Sequence, residues 1–129
     1  VIDGVGSDDM AIEHDDNFVR FSQSKPGISG LETMLALLLK LVDEYGLDLM
    51  TAVRSVTQGP ANVLGLPIGS LETGASADFC IFDPQTTWIL ESKKMLSEGK
   101  NSPFIGWEFT GQVEQTYFQG RLVFSRHSA

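Results

Sequence analysis

Pro26-Gly27-Ile28-Ser29-Gly30-Leu31-Glu32 opens the stretch on which the reading of this chain turns. Pro26-Gly27 punctuates the chain. Ser29 with Glu32 three residues later fits a capping box, in which the Ser hydroxyl accepts from a backbone N–H and the Glu reaches back to the cap. Leu31, Met34, Leu35, Leu38, Leu39 and Val42 then recur at helical spacing, with Lys40 and Glu44 off that stripe. The pattern predicts a helix that Gly46 ends. Asp48 suits the cap of a second helix carrying Leu49, Ala52, Val53 and Val56. Pro60 suits the first turn of a short third helix, which Gly65 stops after Val63-Leu64.

On the N-terminal side, Val1–Gly6 is small and apolar apart from Asp3 and predicts a short buried strand. Polarity rises from Ser7 to Asn17, as in a loop leaving a strand end. One strand cannot form a sheet, because its backbone groups need partners. The expectation is that this strand pairs with something outside the sequence, so that the chain is a truncated portion of a longer one. On the C-terminal side the pattern changes after residue 66. Gly69–Gly74 predicts a turn-bounded short strand. Phe79-Cys80-Ile81-Phe82, ending at Asp83-Pro84, predicts a strand buried on both faces. Trp88-Ile89-Leu90 predicts another. Gln112–Thr116 and Leu122–Phe124 flank Phe118-Gln119-Gly120-Arg121 as a hairpin.

Composition narrows the class without naming a chemistry. The chain has 129 residues, 42% of them hydrophobic, with eight Phe, two Trp and two Tyr, enough for a core. Its apolar run Met34–Leu39 is too short to cross a bilayer, and no basic segment precedes an apolar one as in a secretory signal. The single cysteine, Cys80, makes no internal disulfide and suits a reducing cytoplasm. The net charge of −8 argues against nucleic-acid binding, since a phosphate backbone would be repelled. A cytoplasmic protein with no membrane and no nucleic-acid partner is expected.

Several stretches together resemble the C-terminal third of a class I dihydroorotase, in the amidohydrolase superfamily. Pro26–Glu32 resembles the family's PGxSGLE segment. Gly69–Asp78 resembles its GxLxxGxxAD stretch, and Asn101-Ser102-Pro103-Phe104-Ile105-Gly106 its N[TS]PFxG segment. Gly111-Gln112-Val113 with Thr116 and Gly120 matches the closing GxVxxTxxxG hairpin. The resemblance implies an α/β fold. Residues 1–66 would be the end of a (β/α)8 barrel, with its last strand at 1–8, and residues 67–129 part of a small β-sandwich domain. The missing N-terminal barrel portion is the implied partner, and a homo-oligomer is expected.

Active sites of such barrels lie where strands meet their following loops. Asp8 falls there, matching the aspartate of the family's SDHxPH segment. The resemblance gives it the role of taking a proton from a water on one or two zinc ions and returning one to the leaving amide nitrogen. The bland alternative is a fold residue that caps backbone donors. Without gaps, Asp9 stands where the family commonly has His, Ala11 where it has Pro, and Ile12 where many members have a substrate-contacting His, so that Ile12 is by position a candidate for substrate contact. A second carboxylate at Asp9 is expected to raise the pKa of its neighbour. His14 is displaced by two residues. The resemblance also implies substrate contacts from main-chain atoms near Pro26 and Gly27, though turn chemistry explains that pair equally well. The family's zinc ligands and substrate-binding arginine belong to earlier strands, so Asp8 alone here would lie near metal. The chain by itself is expected to hold no zinc and to turn nothing over.

The remaining residues take plainer readings. Glu13, Asp15 and Asp16 lack the spacing of a calcium loop and read as solvated. Cys80 is expected in the core, His127 in a solvent-exposed tail, and Trp107 and Phe109 in packing. Within the resemblance, the whole enzyme would interconvert dihydroorotate and N-carbamoyl-aspartate. The alternatives are a non-catalytic scaffold partnering aspartate transcarbamoylase, or a hydantoinase or allantoinase.

Overall fold

The helical stripe read from the sequence forms a helix because its small and branched apolar residues have a sheet to pack against. In a computed structural model, which describes residues 2–12 and 26–127, a 3-10 turn at Leu31–Thr33 leads into α1, Met34–Tyr45. Ala36, Leu38 and Leu39 of α1 are buried, whereas Leu31 is 63% exposed and lies off the covered face. Gly46 ends α1 in the left-handed conformation (φ 70°), its N–H on Val42 O. Next comes α2, Leu49–Val56, capped by the Asp48 carboxylate, which accepts from Thr51 N–H at 2.9 Å. The short α3, Gln58–Val63, closes with Leu66 N–H on Ala61 O and Gly65 N–H on Asn62 O, a Schellman motif.

Three strands follow: β1 (Phe79–Ile89), β2 (Glu108–Phe118) and β3 (Arg121–Ser125), antiparallel in the order β1-β2-β3. The expected hairpin is present. Gln119 (φ 50°) and Gly120 (φ 75°) both take positive φ, as a two-residue type I′ turn requires. The fold is therefore α/β with a three-stranded sheet.

Five expectations need correction. Residues 2–8 form no strand; Val5 N–H donates to Ser55 O, and Ile2 is 77% exposed, because no strand lies beside this segment to complete a ladder. Gly69–Gly74 is a run of bends and turns rather than a strand, with Glu72 N–H on Ser70 Oγ. Asp83-Pro84 does not end β1. The Asp83 carboxylate accepts from Gln85 N–H and Thr86 Oγ1, folding Pro84 into a bulge opposite Gly111, and the strand resumes to Trp88 and Ile89. Nor is β1 buried on both faces: Ile81 is exposed and Cys80, expected in the core, is exposed as well.

The core lies between α1 and the sheet. Ala36, Leu90, Met95 and Phe109 are its centre, flanked by Leu37, Trp88 and Phe104. Trp88 tilts against Phe109 at a ring distance of 5.3 Å, and its indole N–H is satisfied by Gly111 O at 2.9 Å. Gly111 (φ 92°) lets β2 approach α1: a Cβ there would stand 2.1 Å from Leu39 Cδ1. Phe109 packs as expected, while Trp107 stays 46% exposed. No helix among the described residues is long and apolar enough to cross a membrane.

Candidate functional site

The site region is built from three segments far apart in sequence: the turn at residues 7–12, the segment 26–31, and the loop 92–102 between β1 and β2. Asp8 is exposed and has φ 45°, a left-handed conformation uncommon outside glycine. The residues after it are tied down one by one. Asp9 forms a parallel bridge with Ile28, and Met10 N–H donates to Ile28 O at 2.9 Å. Ile12 is buried (5% exposed), with its N–H on Asn101 Oδ1 at 3.0 Å.

The capping box predicted at Ser29 and Glu32 does not form. Both side chains are used by the distant loop instead. Ser29 Oγ lies 3.0 Å from Gly99 O and 2.8 Å from Asn101 Oδ1, and its proton serves one of them at a time. The Glu32 carboxylate accepts from Leu96 N–H and Ser97 N–H. The helix entrance is capped by Asp9, whose Oδ1 accepts from Gly30 N–H at 2.7 Å and Leu31 N–H at 3.0 Å. Those two donors have no partner within the helix, so a carboxylate is well suited there. The residue that read as an unwelcome charge beside Asp8 is thus a cap.

Pro26 and Gly27 are exposed at the rim of this assembly. Gly27 has φ +126°, and a Cβ on it would meet Met10 Cβ at 2.6 Å, so both conformation and space demand glycine. Gly99 is equally constrained, since its Cβ would lie 2.7 Å from Ala11 Cα. The loop 92–102 folds back on itself through Lys100 Nζ, which donates to Met95 O and Ser97 O.

Sequence reasoning missed Asn101 as a structural centre. It stood only as one letter of a family segment, yet its Nδ2 donates to Met10 O at 2.9 Å and to Gly27 O at 3.1 Å, while its Oδ1 accepts from Ile12 and Ser29. A loop Asn whose partner lies 89 residues away carries no local signal. His14, Glu13, Asp15 and Asp16 lie outside the described residues. His127 is 78% exposed at its side chain, with Nε2 2.9 Å from Glu114 Oε2 on β2 and far in sequence from the Asp8 turn.

Beside the turn lies an open apolar hollow of about 470 Å³, lined among others by Val5, Ser7, Ile28, Met34, Leu41 and Trp107. Asp8 is not among its lining residues. Among the described residues no three His, Cys, Asp or Glu side chains are grouped to hold a metal ion, so these residues alone do not fit zinc. What they can do chemically is present one exposed carboxylate, Asp8, on a turn that is fixed on its downstream side.

The profile of the amidohydrolase family matches residues 1–123. The chain is 43% identical over 125 residues to a dihydroorotase of Geotalea daltonii, covering 97% of this chain and 29% of that protein. It is 42% identical to a dihydroorotase of Syntrophus aciditrophicus (95% and 29%), and 38% identical to a dihydroorotase-like protein of Pseudomonas aeruginosa (95% and 29%). It thus spans about 29% of the length of these relatives. Among solved structures it is similar to a D-hydantoinase from Thermus sp., with a TM-score of 0.86 at 23% identity, covering 95% of this chain and 28% of that one. An L-hydantoinase from Arthrobacter aurescens gives 0.74 at 30% identity, covering 81% and 24%. With its sequence matched almost end to end, the chain belongs to the amidohydrolase family.

Proposed function

We propose that these residues serve, within a longer enzyme, as part of a dihydroorotase that interconverts dihydroorotate and N-carbamoyl-aspartate in pyrimidine biosynthesis. The observation that carries this reading is the 43% identity to a dihydroorotase over 97% of the chain. In it residues 1–66 complete a (β/α)8 barrel and residues 67–129 contribute to a small β-sandwich domain. The segment 1–8, of which the described residues 2–8 have no ladder partner, becomes the last barrel strand once its neighbours are supplied.

Asp8 is the proton carrier: it takes a proton as water attacks the ring carbonyl and returns one to the departing amide nitrogen. Its exposure and its fixed turn support that role. Main-chain atoms at Pro26 and Gly27 contact substrate, and Ile12 serves as the buried anchor of the loop beneath it. Zinc belongs to the whole enzyme, where it supplies an activated water, and its ligands come from residues outside this chain. The same reading makes the protein a cytoplasmic homo-oligomer.

A second reading is favoured by the similarity to a dihydroorotase-like protein. In it the longer protein has lost catalysis and acts as a scaffold for aspartate transcarbamoylase. A hydantoinase or allantoinase is less well supported, because the hydantoinase likenesses, at 23% and 30% identity, fall below the 43% identity to a dihydroorotase. The deciding experiment expresses the longest encoded protein containing these residues and measures zinc content and dihydroorotate turnover. Zinc-bound, active protein that Asp8→Asn inactivates is expected. Metal-free, inactive protein sinks the enzymatic reading in favour of the scaffold.

A further inference from the structure

We infer that Asn101 is the positioning residue for Asp8, an inference that rests on Asp8 being the proton carrier proposed above. A non-glycine residue holds a left-handed conformation like that of Asp8 (φ 45°) only where its surroundings over-determine it. The Asn101 amide is one of the holds on the turn, beside the Asp9 carboxylate on Gly30 and Leu31 N–H and the Met10 N–H on Ile28 O. Both Nδ2 protons are used, on Met10 O and Gly27 O, and Oδ1 accepts from Ile12 N–H and is in reach of Ser29 Oγ. Both donor positions of the amide are thereby engaged, and its oxygen holds Ile12 N–H with Ser29 Oγ in reach. Its orientation has no alternative, because a flipped amide would set NH₂ against the Ile12 N–H and an oxygen against two carbonyls. One side chain therefore clips the turn after Asp8 to the segment at Pro26 and Gly27, which the proposed function assigns to substrate.

The clip is itself held firm. Glu32 binds Leu96 and Ser97 N–H, Lys100 binds Met95 and Ser97 carbonyls, and Gly99 packs with no room for a Cβ against Ala11. These contacts reach Asp8 only through Asn101 and the backbone it holds. Asn101 touches no reacting group in this scheme, so it acts through Asp8 and does not share its chemistry.

Asn101→Asp is the informative change. It keeps an acceptor for Ile12 N–H and Ser29 Oγ but replaces both donated bonds with carboxylate oxygen facing carbonyl oxygen. In the longest encoded protein containing these residues, it is expected to lower kcat about 100-fold, the scale of a misplaced reacting group. In an Asp8→Asn background the same change is expected to cost almost nothing further, since residues acting as one unit are not additive. Asp48→Ala, which removes the α2 cap and touches neither the turn nor the loop, should lower Tm while leaving kcat nearly unchanged. In parallel, amide exchange at Met10 and Ile12 of Asn101→Asp should quicken by about tenfold or more, because the turn that carries both amides loses two donated bonds, with the β2–β3 amides still protected as evidence of folding. Ser29→Ala, a milder change to the same amide, gives the same readings in smaller measure where Asn101→Asp folds poorly. An unchanged kcat, an equal loss with and without Asp8, or unchanged exchange at Met10 and Ile12 overturns the inference. A fully active Asp8→Asn enzyme overturns the reading of Asp8 first, and is distinguishable because the exchange result stands apart from it.

Discussion

Removing the Asp9 carboxylate separates two accounts of the same residue. As a charge beside Asp8 it would disturb a neighbour; as a cap it holds Gly30 N–H at 2.7 Å and Leu31 N–H at 3.0 Å. Asp9→Ala strips both donors of their partner. Loss of a cap costs about 1–2 kcal/mol, and two short bonds from one oxygen put this site toward the upper end. With a urea m-value of about 1–3 kcal/mol/M for a small domain, a loss of about 2 kcal/mol should lower the midpoint by about 0.7–2 M at unchanged m. Asp9→Asn is the control, because Asn caps about as well as Asp and carries no charge. The assay is urea unfolding of the three proteins followed by circular dichroism, with amide exchange at Gly30 and Leu31. Expected is a loss in Asp9→Ala and little in Asp9→Asn. Equal losses in both would assign the stabilisation to charge at the helix entrance, and no loss in either would refute the cap altogether.

Three further perturbations test the packing and the turns. Phe109→Ala, at a residue 2% exposed in the centre of the core, should cost about 3–5 kcal/mol, read as a collapsed or lost thermal transition. Gly111→Ala should cost about 1–3 kcal/mol, because the new Cβ falls 2.1 Å from Leu39 Cδ1 at a φ of +92°; adding Leu39→Ala should recover part of that loss, and a failure to recover any points to backbone strain alone. Asp78 and Asp83 both have carboxyl pKa values below the ordinary range, Asp78 chiefly through the Ser76 hydroxyl and Gln119 N–H, Asp83 chiefly through Gln85 N–H. A depressed folded-state pKa contributes stability above the unfolded value of about 3.9 and loses it as pH falls through the folded value. The destabilisation by Asp78→Ala or Asp83→Ala, measured by urea unfolding, should therefore be full near neutrality and shrink below about pH 4. A difference from the unsubstituted chain that is flat with pH would exclude these carboxylates as the cause.

What could be read from the sequence was what neighbouring residues decide among themselves. The Asp48 cap, the Gly46 and Gly65 stops and the Gln119-Gly120 turn each depend on residues within a few positions, and all are present. The failures share another cause. Ser29 and Glu32 match a local capping pattern, yet their partners lie 70 and 65 positions away; Ser29 N–H goes to Asn101 O instead, and Asp9 takes the neighbouring donors of Gly30 and Leu31. Pro84 reads as a strand stop, but β1 has a partner strand whose Gly111 accommodates a bulge, so pairing outweighs the local signal. Apolar content alone placed Cys80 and Ile81 inside; the helices cover only part of the sheet, and both are exposed.

The same distance dependence bears on how a degraded motif should be judged. Asp9 and Ile12 depart from the residues common at their positions in the family, and read linearly they look like erosion around Asp8. In three dimensions neither position is idle: Asp9 caps the α1 entrance, and Ile12 is buried with its N–H on Asn101. A residue recruited to hold the turn cannot count as evidence that the turn has lost its purpose. The steric demands of the region are met as well: Gly27 and Gly99 occupy two places where a Cβ would collide with the turn. The geometry around Asp8 is thus maintained by residues from all three segments, and the test of whether that geometry still serves catalysis lies with Asp8 and its clip, not with the letters that replaced histidine.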